Sequence, residues 1–146
     1  MIIAIDFDGT CVTHEYPKVG KDIGAVPVLK KWVAHGHKLI LWTMRSGKGI
    51  NFYSHSDKSR WSIELDDAVR WFKNNEIPLF GINENPEQSW SFSPKAYAHL
   101  YIDDAALGCP LKSDPELSDR PFVDWVRVES MVTLIERAED NNEGSN

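Results

Sequence analysis

Only two cysteines, Cys11 and Cys109, occur in 146 residues, far apart and without CxxC spacing. This argues against a disulfide framework or a zinc knuckle and for free thiols in a reducing compartment. No apolar run approaches the roughly 20 residues that a membrane-spanning helix needs. The opening MIIAI is too short for a signal-peptide core and has no basic lead-in. A cytoplasmic protein with no membrane partner is expected. Basic residues are also scarce: 16 Lys and Arg against 22 Asp and Glu leave a net charge of −6. That excludes broad nucleic-acid binding while leaving room for a local patch that holds one phosphate. Hydrophobic residues make up 42% and charged residues 26%, an average globular balance at a length that suits one domain with its own core. We expect a single domain over 1–139 and a polar, frayed tail over 140–146.

Ile2 to Ile5 is a short, β-prone apolar run with no polar alternation, the pattern of a strand covered on both faces. Lys38 to Thr43 has the same character, as do, more weakly, Leu79 to Ile82 and Leu100 to Ile102. Between them, Ile23, Val26, Leu29 and Val33 keep helical spacing, and so do Leu65, Ala68, Val69 and Phe72. Pro27 is tolerable only near a helix start, which puts that start around Gly24 to Val26, with Gly36 closing the helix. Ser62 is the expected cap of the second helix and Asn75 its end. Asp124 caps a last helix bearing Val128, Met131, Val132 and Ile135, with an edge strand over VDWVRV as the alternative. The fold class is α/β: a three-layer, Rossmann-like parallel sheet with right-handed crossovers and helices on both faces.

Ligands of such sheets bind outside the carboxyl ends of the strands, so the polar residues that follow each apolar run matter most. After the first run come Asp6, Phe7, Asp8, Gly9 and Thr10, after the second Thr43, and after the fourth Asp103 and Asp104. Lys95, shortly before the fourth strand, is the natural cationic partner. Carboxylates gathered at one edge repel each other and are tolerable mainly around a cation. All-oxygen ligation points to magnesium, with Asp6 and Asp103 as side-chain ligands and Asp8 offering its backbone carbonyl. Asp6 is the expected nucleophile toward phosphorus, and Asp8 the group that protonates the leaving oxygen and then deprotonates water. The Thr43 hydroxyl and the following N–H, that of Met44, would hold phosphoryl oxygens.

DFDGT near the N-terminus, a Thr ending the second strand, a later Lys and the YIDD strand end together resemble the haloacid dehalogenase (HAD) superfamily. The resemblance runs from residue 5 to 104. It implies an HAD-like fold, Asp6 as nucleophile, Asp8 as acid and base, Thr43 and Lys95 for the phosphate, and Asp103 and Asp104 as metal-side acids. Asp8 also favours phosphate-ester hydrolysis, since dehalogenases and phosphonatases of the superfamily lack an acid there. Members often insert a cap domain, but the gaps at 11–22 and 83–94 are only about a dozen residues each, enough for flaps alone. A capless member is expected, its open site admitting a bulky substrate or being closed by a neighbour in a homo-oligomer.

The connection from Met44 to Trp61 carries Arg45, Lys48, Lys58 and Arg60 against Asp57, a local charge of +3. Arg45, with Lys48, is a candidate contact for the substrate or its phosphate, since an Arg fork suits that geometry. A solvated loop explains the same charges. The five histidines share no ligand spacing, and only His14 is placed to meet a substrate. Trp32, Trp42 and Trp71 read as core, leaving Trp61 and Trp90 as rim candidates. The favoured function is a magnesium-dependent phosphomonoester hydrolase acting on a small phosphorylated molecule. The alternatives are a receiver-like phospho-aspartate signalling module and a catalytically silent binding protein of the same fold.

Overall fold

The apolar runs become parallel strands whose alternate side chains enter two separate cores. The computed structural model of the protein describes residues 1–47 and 63–143. The elements run β1 (Ile2–Ile5), α1 (Ala25–Ala34), β2 (Lys38–Leu41), α2 (Glu64–Asn74), β3 (Gly81–Ile82), β4 (Leu100–Ile102), β5 (Leu111–Lys112), β6 (Phe122–Val123) and α3 (Trp125–Glu143). Strands β1 to β4 form a parallel sheet of order β3-β2-β1-β4, and β5 and β6 make a separate antiparallel pair. Ser62, Lys48, His55, Asp57, Lys58, Arg60 and Trp61 lie outside the described residues. No helix among those described is long and apolar enough to cross a membrane.

Register sorts the side chains. Ile3 pairs with Leu39 and Leu100, and Ile5 with Leu41 and Ile102. These face a cluster that takes in Val28, Leu29 and Trp32 of α1, Ala68 and Phe72 of α2, and Val128 and Val132 of α3. The opposite face carries Ala4 and Ile40, covered by Ala96 with Trp42, Phe80 and Ala98. The sheet is thus covered on both faces, but the buried side chains of all three described helices join the same core. Helices on both faces were expected; on the second face the cover is the connection between β3 and β4.

Chirality gives the reason. Right-handed crossovers from β1 to β2 and from β2 to β3 step the same way, so α1 and α2 share a face, while the return to β4 must cross the other. That return segment holds Pro86 and Pro94, and its side chains capture its own backbone. Asn85 Oδ1 accepts from Glu87 N–H, Ser91 Oγ from Ser93 N–H and Ser93 Oγ from Lys95 N–H, at 2.9–3.2 Å. Such local bonds compete with helical ones.

Helix α1 begins after Gly24 with Pro27 in its first turn, where a missing N–H is harmless. Asp124 accepts the Arg127 N–H at 3.3 Å and so caps α3, while Val123 of the VDWVRV stretch joins β6. Helix α3 continues through Asp140 to Glu143, past the point where a frayed tail was expected. Its first residue, Trp125, ties the last helix to the first loop. The indole lies 5.7 Å from Trp32 and donates to the Thr10 carbonyl at 2.7 Å.

Trp125→Phe should therefore destabilise the protein by about 1–3 kcal/mol, because it leaves a buried carbonyl unpaired. Urea unfolding followed by far-UV circular dichroism measures this.

Candidate functional site

Four loops meet where β1, β2, β3 and β4 end. After β1 the Phe7 carbonyl accepts three successive N–H groups, from Thr10, Cys11 and Val12, at 2.8–3.3 Å. This tight turn needs Gly9 at φ 79°, and a side chain there would meet His14 Nε2 at 2.1 Å. The turn delivers Thr10, fully buried, into the acid cluster. Its hydroxyl donates to Asp6 Oδ2 at 3.1 Å and accepts the Asp104 N–H at 3.1 Å. Thr10 and Asn83 are site residues that sequence reasoning left without a role, although both are polar residues in segments that follow an apolar run.

One carboxylate oxygen from each of Asp6, Asp103 and Asp104 lies within 4.8 Å of the others. Among the described residues no Lys or Arg pairs with any of them. His14 Nε2 stands 2.9 Å from Asp104 Oδ2, close but not aligned as a hydrogen bond, so His14 meets an acid of the cluster. Burial, above all, pushes the Asp6 pKa up to about 7, and the charges of Asp103 and Asp104 add to it against hydrogen bonds from Phe7 and Thr10. Three carboxylate oxygens, with no Lys or Arg paired to them among the described residues, could hold a metal ion.

Beside the cluster opens a cleft of about 240 Å³, lined by Asp6, Trp42, Thr43, Met44, Asn83 and Asp103. Thr43 Oγ1 accepts the Arg45 N–H at 3.1 Å, while the Met44 N–H finds no partner among the described residues. The Met44 side chain is fully exposed at the rim. Trp42, expected in the core, packs on the second face and also lines this cleft.

Two expected phosphate contacts stand elsewhere. Lys95 is exposed, with Nζ 5.2 Å from the centre of the Tyr101 ring. It precedes β4 and so enters from the amino end of the strand, and it is not among the residues lining the cleft. Arg45 is buried, and its fork closes on Asp8, with Nε donating to Oδ2 at 2.7 Å and Nη2 to Oδ1 at 2.6 Å. The remaining N–H groups bond the carbonyls of Pro17, Lys18 and Glu64. Burial opposes the charge of Arg45, but Asp8 more than offsets this and holds its pKa above the ordinary value. Arg45 therefore serves the protein's own acid and carbonyls where a substrate contact was expected. The Asp8 carboxylate is turned to Arg45 and stands outside the three-acid cluster.

Arg45→Ala should cost about 3–5 kcal/mol, because it strands a carboxylate and frees three carbonyls; thermal and urea unfolding would show it. A second expectation concerns pH. Asp6 in the unfolded chain titrates near 3.8 and in the folded chain near 7. Over that interval the folded state holds the extra proton, so this group's stabilisation is present at low pH and is lost as pH rises through about 7. With chelator present, the urea midpoint should fall between about pH 4 and about pH 7 and level off above that, and Asp6→Asn should flatten the fall.

No family model and no curated protein matches this sequence. Among solved structures, a conserved protein of Bacteroides thetaiotaomicron is similar, at 32% sequence identity and a TM-score of 0.67. The alignment covers 91% of this chain and 89% of that one. At that identity, over nearly the whole of both chains, the protein belongs to the same family as this conserved Bacteroides thetaiotaomicron protein.

Proposed function

We propose that the chain is a magnesium-dependent phosphomonoester hydrolase of the haloacid dehalogenase type, working through an aspartyl-phosphate on Asp6. The observation that carries this reading is the meeting of Asp6, Asp103 and Thr43 in one cleft, with three carboxylates drawn together and no protein cation paired to them among the described residues. Asp6, Asp103 and Asp104 would hold the ion, with the backbone carbonyl of Asp8. Once bound, magnesium would offset the repulsion between these acids and a dianionic phosphate.

One Asp6 oxygen then attacks phosphorus, and the bond from phosphorus to the ester oxygen breaks as the new one forms. The Thr43 hydroxyl and the Met44 N–H donate to the phosphoryl oxygens. Asp8 gives a proton to the leaving alcohol, then takes one from the water that cleaves the aspartyl-phosphate and releases inorganic phosphate. Both Asp8 oxygens already accept from Arg45, so each proton step would either use a remaining lone pair or open one of those bonds.

That pairing of Asp8 with Arg45, and the absence of Lys95 from the cleft lining, favour a second reading in which the chain binds a phosphorylated ligand without turning it over. The strand order 3-2-1-4 differs from the 2-1-3-4-5 order of flavodoxin-like sheets and gives no support to a receiver-like module.

Hydrolysis of an aryl phosphate and a small panel of phosphate esters, with and without magnesium, decides between the first two. Turnover that needs magnesium and falls at least about 10³-fold in Asp6→Asn is expected, since the nucleophile is lost. Magnesium-dependent binding of inorganic phosphate with no turnover of any ester would transfer the case to the silent binder.

A further inference from the structure

The cleft holds a donor that the mechanism above does not use. Asn83 follows β3 directly and sits at φ 53°, in the left-handed region that few residues other than glycine adopt. Its backbone N–H donates to the Leu41 carbonyl at 2.8 Å, which brings the ends of β2 and β3 side by side. Its side-chain Oδ1 then accepts the Thr43 N–H, also at 2.8 Å. That bond fixes the amide, because a backbone N–H can be matched only by the oxygen end. The nitrogen end, Nδ2, keeps two hydrogens with no acceptor among the described residues, on a side chain that lines the same cleft as Asp6 and Thr43.

We propose that Asn83 is a substrate-binding residue of this cleft, its Nδ2 hydrogens donating to an anionic oxygen of a phosphoryl group held between Asp6 and Thr43. The inference rests on the phosphoryl-binding reading above. A neutral amide suits this place, because it supplies two donors next to a cation site without competing for the carboxylates that the cation needs. It also accounts for a phosphate site whose lining contains neither Lys95 nor Arg45. Of the amide's two ends, one positions Thr43 and the other meets the ligand.

The test is a titration of the magnesium-loaded, ¹⁵N-labelled protein with inorganic phosphate. The Asn83 side-chain NH₂ pair is assigned by its loss in Asn83→Asp, which keeps the acceptor for Thr43 and tolerates the backbone conformation. The expected result is that this pair moves together with the Met44 amide and saturates at the same phosphate concentration. In parallel, Asn83→Gly, well suited to positive φ, should weaken phosphate binding about tenfold or more. Movement of Met44 while the Asn83 pair stays still would overturn the role of Asn83 and leave the phosphoryl site standing. No movement in either, together with no turnover of aryl phosphate, would remove the underlying reading and this inference with it.

Discussion

The guanidinium of Arg45 links parts of the chain that no strand pairing connects. It binds both oxygens of Asp8 in the first loop, the carbonyls of Pro17 and Lys18 further along that loop, and the carbonyl of Glu64 in the first turn of α2. The rings of Phe7 and Tyr16 lie 4.9 and 5.4 Å from its central carbon. A buried guanidinium tolerates this position only with nearly all its hydrogens matched and a counter-charge in contact. The first loop, the end of β2 and the start of α2 are therefore built as one unit, and the direction of Asp8 is a consequence of that unit.

A different constraint governs the acids. Asp6, Asp103 and Asp104 are brought together because β1 and β4 are adjacent and parallel and end at the same level, with Ile5 opposite Ile102. Backbone pairing thus forces together charges that repel. Thr10 can donate to one of them only, since its hydroxyl carries one hydrogen and accepts from Asp104 N–H. Burial above all, with the charges of Asp103 and Asp104 adding to it, holds the Asp6 pKa up at about 7. On the proposed function, a cation and then a phosphoryl group would complete this charge balance.

The two ends of the sheet are not equivalent. At the carboxyl ends, Asn83 and Thr43 bond across β3 and β2, while at the amino ends His99 bonds Ile2 through both its backbone and its ring. The segment 83–99 runs from the first end to the second, so its early residues belong to the cleft and its late ones to the opposite edge. Trp90 follows the late ones, standing 5.8 Å from Tyr97. The same direction explains why Lys95 rests over Tyr101 outside the cleft.

The sequence alone determined the four parallel strands, the α1 and α3 helices and the convergence of Asp6, Thr43 and Asp103. Each follows from local apolar runs, helical spacing and the rule that sites lie at the carboxyl ends of strands. Thr10 and Asn83 were legible by that same rule, had every polar residue behind a strand been given a role. The partner of Arg45 was not legible: a charged residue behind a strand reads the same whether it turns outward to a phosphate or inward to an acid 37 positions earlier. Nor did composition indicate that the described helices share one core and that an irregular segment covers the other face. Long-range pairing, crossover handedness and burial decided these, because they depend on which surfaces meet in space and not on neighbours along the chain.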